Sequence, residues 1–98
     1  MSEQQQPRVA LVTGASRGIG RAIAESLAGT GHTVVGTATS ESGAEAISGY
    51  LGALGNSGCG MRLDVADAQS VSDVIAAINS EFGAPLVLVN NAGITRDN

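Results

Sequence analysis

Three glycines at positions 14, 18 and 20, with Thr13 before them and Ser16 and Arg17 between them, are the residues of this chain best suited to do chemistry. They follow the apolar run Val9-Ala10-Leu11-Val12 and lead into a stretch of helical periodicity. A strand that breaks into glycines and restarts as a helix is the sequence form of a nucleotide-phosphate cradle. Glycines let the backbone turn tightly and approach a pyrophosphate, and the free N–H groups of the helix's first turn face its negative charge. The spacing is G-x-x-x-G-x-G, which differs from the G-x-G-x-x-G of the standard dinucleotide fingerprint. Taken alone it also suits an ordinary strand-to-helix turn. A second polar group, Asn90-Asn91-Ala92-Gly93, closes the apolar run Leu86-Val87-Leu88-Val89; Asn and Gly are frequent in strand-end turns of any kind.

Positioning these two groups requires alternating strands and helices. Residues 8 to 13 read as a first strand, apolar on both faces as a central parallel strand should be. A helix of about 18 to 29 follows, with Ile19, Ile23 and Leu27 as its apolar stripe, Arg21 and Glu25 left for solvent, and Gly31 as its stop. Thr33 to Ala38 form the second strand, and Ser40 with Glu41 starts a capped helix to about Leu54, with Ala44, Ile47, Leu51 and Leu54 at helical spacing. After the loop Gly55-Asn56-Ser57-Gly58, residues 59 to 63 make a third strand ending in Asp64-Val65. Asp67 caps a third helix whose Val71, Val74, Ile75, Ile78 and Phe82 form the cleanest amphipathic stripe of the sequence. Gly83 and Pro85 end it, and Leu86 to Val89 is the fourth strand. Strands and helices in this alternation imply right-handed crossovers and a doubly wound, Rossmann-type parallel α/β sheet in the order 3-2-1-4, with a ligand crevice between strands 1 and 4.

The composition agrees with one small domain: 98 residues, 43% hydrophobic, 14% charged and 14 glycines, too apolar for a disordered chain and too short for two domains. The net charge is −4, with five arginines and no lysine. Partners that need a basic surface, nucleic acid or an anionic membrane, are therefore not expected. No apolar run is long enough to span a bilayer, and residues 1–7 lack the regions of a signal peptide and read as a disordered start, so a cytoplasmic protein is expected. The single cysteine, Cys59, and the single histidine, His32, provide no disulfide and no metal-ligand cluster. Cys59 reads as a packed strand residue and His32 as a surface imidazole past a helix end.

With both glycine-containing groups in view, the chain resembles the short-chain dehydrogenase/reductase family, whose members carry T-G-x-x-x-G-x-G after the first strand and N-N-A-G after the fourth. Order and separation match, and the resemblance runs from Arg8 to Asn98. The fuller strings Leu11 to Arg21 and Asn90 to Asn98 are similar to one branch of it, the 3-oxoacyl-[acyl-carrier-protein] reductases of bacterial fatty acid synthesis. The resemblance implies an NAD(P) cofactor held by Gly14, Ala15, Ser16, Arg17 and Ile19 of the turn. Asp64 would then bond the adenine amino group, Val65 would pack on the ring, and Asn91, with Asn90 and Gly93, would line the crevice floor. Asp67 is another acid close by, but the helix cap explains it better. An NAD enzyme usually carries an acid at the end of the second strand to accept from the ribose 2′-OH; here Gly36-Thr37-Ala38-Thr39-Ser40 offers none before Glu41. Thr39, with the forked donor geometry of Arg17, points to NADPH. A solvated turn residue and a plain helix-approach residue remain open readings of the two.

The family's chemistry uses a Tyr-x-x-x-Lys pair, a Ser and a further Asn, all beyond the fourth strand; the Tyr protonates the carbonyl oxygen as hydride arrives. Here Tyr50 is followed by Leu54 and there is no lysine, so no catalytic residue is assigned. The expectation is the cofactor-binding N-terminal half of an NADPH-dependent reductase of 3-oxoacyl thioesters on acyl carrier protein, inactive alone, from a parent that forms homotetramers. A stand-alone nucleotide-binding module and one half of a split enzyme are the other readings. A chain truncated there would leave its fourth strand as an edge and invite marginal stability or self-association.

Overall fold

The computed structural model describes residues 8–83 and 87–91; expectations at residues 1–7, at Pro85 and Leu86, and over 92–98 lie outside them. The alternation read from the sequence is present: β1 (Val9–Val12), α1 (Gly18–Gly29), β2 (Thr33–Ala38), α2 (Glu41–Ala53), β3 (Cys59–Arg62), α3 (Ala68–Glu81) and β4 (Val87–Val89). The strands form one sheet in the order β3-β2-β1-β4. All three pairings are parallel, with Leu11 opposite Val35 on one side and Leu88 on the other. This is the doubly wound α/β arrangement expected from the spacing of the elements.

Neighbouring residues of the central strands serve opposite faces, because side chains alternate along a strand. Val12 and Val34 pack with Ala24 of α1 and with Ile47, Tyr50 and Leu51 of α2. Leu11 and Val35 pack with Leu63 and with Val74 and Ile78 of α3, flanked by Val71, Ile75 and Phe82. The third helix therefore buries the stripe its sequence predicted. Both expected caps form: Ser40 Oγ accepts from the Gly43 N–H at 3.1 Å, and Asp67 Oδ1 accepts from the Gln69 N–H at 3.0 Å.

Two apolar positions depart from expectation. Ile19 is 71% exposed, and the buried residues of α1 are Gly20 and Ala24, with Ile23, Leu27 and Ala28 packed beside them. The helix approaches the glycine turn so closely that its inner face takes small residues, which a reading weighted to large apolar side chains passes over. Leu54 is 55% exposed because α2 ends at Ala53 and Leu54 is its C-cap; Tyr50 takes the expected place in the stripe. The strand ends differ by one residue, although Thr13 N–H still donates to the Val89 carbonyl (3.0 Å) and Leu63 N–H to the Ala38 carbonyl (2.8 Å), continuing the ladders.

His32 Nδ1 lies 2.9 Å from the Thr30 hydroxyl beside the end of α1, and burial, then the Glu81 carboxylate, pushes the Cys59 thiol up. Among the described residues no three of His, Cys, Asp and Glu come together to hold a metal, and no helix is long and apolar enough to cross a membrane.

Candidate functional site

The turn between β1 and α1 is built from residues that no other types replace easily. Gly14 and Gly18 both have φ of 65°, the left-handed region in which a Cβ is strained. Gly20, in ordinary helical conformation, lies against the turn itself: a Cβ there would overlap the Gly14 carbonyl oxygen and come within 2.7 Å of Asn91 Nδ2.

Side chains and backbone from three other elements fix the turn. Asn91, buried at the end of β4, donates from Nδ2 to the Gly14 carbonyl at 3.1 Å. Thr13 Oγ1 donates to Asn90 Oδ1 at 3.2 Å, so the ends of β1 and β4 are tied by side chains as well as by the ladder. The Ala15 N–H donates to the Thr37 carbonyl of β2 at 2.8 Å, and the Tyr50 hydroxyl of α2 donates to the Ala15 carbonyl at 2.6 Å.

Beyond Ala15 the backbone is left open. No side chain caps α1, whose N-cap residue is Arg17, and no acid sits in its first turn. Among the described residues no group accepts the N–H of Ser16 or Arg17. Arg17 is exposed and makes no ion pair there. The turn borders a cleft of about 560 Å³ at the C-terminal ends of β1, β2 and β4. N–H groups without an acceptor among the described residues and the positive end of the helix dipole, with one arginine and no carboxylate among the described residues of the lining, make this a place for an anion.

Six of the nine residues expected to hold a cofactor line this cleft: Gly14, Ser16, Arg17, Ile19, Thr39 and Asn91. Ala15 is fully buried, with its side chain in the core under α1 and α2, so it serves the turn through its backbone. Val65 borders a small adjoining space of about 40 Å³ shared with Gly14 and Thr39. Asp64 lines neither; its Oδ1 accepts from the Ala66 N–H at 3.0 Å and its own N–H donates to Ser70 Oγ at 3.0 Å. Asn90 is exposed at the end of β4, and Gly93 lies outside the described residues.

Tyr50 is the residue the sequence reading passed over. In sequence it stands only as the tyrosine of a Tyr-x-x-x-Lys pair without its lysine, and its setting opposes proton donation: burial first, then the Glu25 carboxylate, against the lowering effect of Arg21, push the phenol up to about 12. Its helical register with Ile47, Leu51 and Leu54 was the available signal that the ring lies in the core.

Comparison with known proteins gives the chain's family. The sequence model of the short chain dehydrogenase family matches residues 8–98. The 3-oxoacyl-[acyl-carrier-protein] reductase FabG of Escherichia coli (strain K12) is 63% identical over 91 residues, which are 93% of this chain and 36% of that protein. The FabG of Vibrio cholerae is 64% identical over 91 residues, with the same shares, and that of Pseudomonas aeruginosa 57% over 93 residues, 95% of this chain and 38% of that protein. The chain thus spans a little over a third of the length of these curated relatives.

Proposed function

Because the chain belongs to the short-chain dehydrogenase family, we propose that residues 8–98 are the dinucleotide-binding part of an NADPH-dependent 3-oxoacyl-[acyl-carrier-protein] reductase. The observation that carries this reading is the cleft beside α1. Its floor is a glycine turn held from behind, its rim offers N–H groups without acceptors among the described residues, and its lining has Arg17 and Thr39 where an NAD site usually has an acid. The glycines suit such a turn, since the missing Cβ at Gly20 lets α1 come close to it and Gly14 and Gly18 supply its positive φ.

When bound, the nicotinamide supplies the hydride that reduces the 3-keto group. The residues of this chain bind and orient. Ser16 and Arg17 present N–H groups to the diphosphate; the Arg17 guanidinium and the Thr39 hydroxyl receive the 2′-phosphate; Val65 flanks the adenine side; Ile19, held out of the core, offers an apolar surface at the cleft mouth. None of these side chains is a proton donor for the carbonyl, and Tyr50 is engaged with Ala15. The catalytic Ser, Tyr and Lys of the family therefore belong to another part of the enzyme, and this chain alone is inactive. Acyl-carrier-protein thioesters as substrate, a homotetrameric parent and a cytoplasmic location are parts of the same proposal; the names of the relatives support the first.

The test is a pair of melts of this chain, with NADPH and with NADH at equal concentration, because a ligand of the folded state raises apparent stability. A larger rise with NADPH is expected, and Arg17→Gln should bring the two together. Equal rises in the unaltered chain would overturn the NADPH preference; no rise with either would overturn the cleft as a dinucleotide site.

A further inference from the structure

Two successive peptide groups make the back of the turn, and they are held differently. The Gly14–Ala15 peptide is anchored at both ends: its carbonyl accepts from Asn91 Nδ2 and its N–H donates to the Thr37 carbonyl. The Ala15–Ser16 peptide has one anchor among the described residues, the Tyr50 hydroxyl on its carbonyl at 2.6 Å. Its other end, the Ser16 N–H, has no acceptor among the described residues, and Ser16 lines the cleft. In a trans peptide the C=O and N–H point in opposite directions, and the described residues contain no cis bond. Fixing the carbonyl on the α2 side therefore fixes the N–H away from it.

Tyr50 is itself well braced. It is 9% exposed within the core shared by α1 and α2. The Arg21 guanidinium of α1 stacks over its ring at 4.6 Å from the centroid, and Arg21 Nε is bonded to Glu25 Oε2 at 2.9 Å. The phenol thus refers the direction of one peptide to two helices.

We propose that Tyr50 is a positioning residue of the cleft: by holding the Ala15 carbonyl it aims the Ser16 N–H at a bound pyrophosphate. This rests on the cleft being a dinucleotide site. Tyr50 touches no ligand; without its hydroxyl the Ala15–Ser16 peptide can rotate, and the N–H must be reoriented each time a diphosphate binds.

The experiment compares Tyr50→Phe with the unaltered chain in binding NADPH and adenosine 2′-monophosphate, which shares the adenine and 2′-phosphate but has no pyrophosphate. Tyr50→Phe should weaken NADPH by about tenfold, the scale of one misplaced hydrogen bond, and leave adenosine 2′-monophosphate unchanged. Equal weakening of both ligands, or unchanged NADPH binding with a lowered melting temperature, would mean that Tyr50 only supports the fold. An unaltered chain that fails to bind NADPH would instead defeat the cleft reading itself. Should Tyr50→Phe not fold, the single tyrosine of the sequence allows a second measurement, fluorine NMR of the chain grown with 3-fluorotyrosine. Its resonance should move with NADPH and stay with adenosine 2′-monophosphate; a resonance indifferent to NADPH would overturn the proposal.

Discussion

At Gly20 the closeness of α1 to the turn depends on one missing atom. The Cβ of an alanine would overlap the Gly14 carbonyl oxygen and crowd Asn91 Nδ2, and these two are the partners of the hydrogen bond that anchors the turn. An alanine gains roughly 1 kcal/mol of helix propensity over glycine, but overlap with a backbone oxygen cannot be relieved by a rotamer change, and overpacking of this kind costs about 1–3 kcal/mol. Gly20→Ala should therefore lower the melting temperature and weaken NADPH binding. Gly29→Ala, in the same helix with open space at its Cβ, should hold or raise the melting temperature. Thermal melts of both variants with and without NADPH make the comparison, and a Gly20→Ala chain as stable and as responsive as the parent would contradict it. The residues of the turn were legible because their neighbours in sequence are their neighbours in space. Asp64 also closes a local turn, through Oδ1 on the Ala66 N–H, a contact that spacing alone does not show. Tyr50 acts on Ala15 across 35 residues, and only the packing of α2 on the sheet brings them together.

Helices α1, α2 and α3 begin differently, and the difference follows their work. Ser40 and Asp67 satisfy donors at the starts of α2 and α3, whereas α1 starts with no side-chain cap. A helix whose first N–H groups are to meet a ligand must leave them unsatisfied in the chain itself. Ser40→Ala should lower unfolding stability by about 1 kcal/mol, and Ser40→Asp should retain most of it, since both Ser and Asp accept from the first-turn N–H groups. Urea unfolding followed by far-ultraviolet circular dichroism measures this, and an alanine variant with unchanged midpoint would show that the 3.1 Å bond to Gly43 contributes nothing. Element type and order were readable because the caps, the 3.6-residue stripes and the helix-ending glycines are local signals. Which turn of each helix is covered was not, since burial depends on where the sheet lies beneath. Ile19, ahead of the covered part of α1, and Leu54, at the end of α2, both carry the pattern without the contact.

Two helical layers share one thin sheet, and each packs its own core against one face of it. Leu11 and Val35 belong to the layer under α3, while the adjacent Val12 and Val34 belong to the layer under α1 and α2. Loss of α3 would expose one side of β1 and β2, and these strands carry the other side's packing and the turn that ends β1. A domain of this size buries a modest fraction of its surface, and a typical total stability is about 5–15 kcal/mol. Truncating the fully buried Ile78 to alanine removes about 2–5 kcal/mol of that, which for a chain of this length lowers the melting temperature by roughly 10 °C or more. The chain has no tryptophan and one tyrosine, so tyrosine fluorescence reports Tyr50 in the layer opposite Ile78, and circular dichroism reports α1, α2 and α3. In Ile78→Ala the two signals should fall together at the lowered temperature, as one cooperative unit requires. Tyr50 fluorescence that outlasted the loss of helix would mean that the α1–α2 layer and its cleft stand without α3, and that β1 and β2 do not couple the two faces.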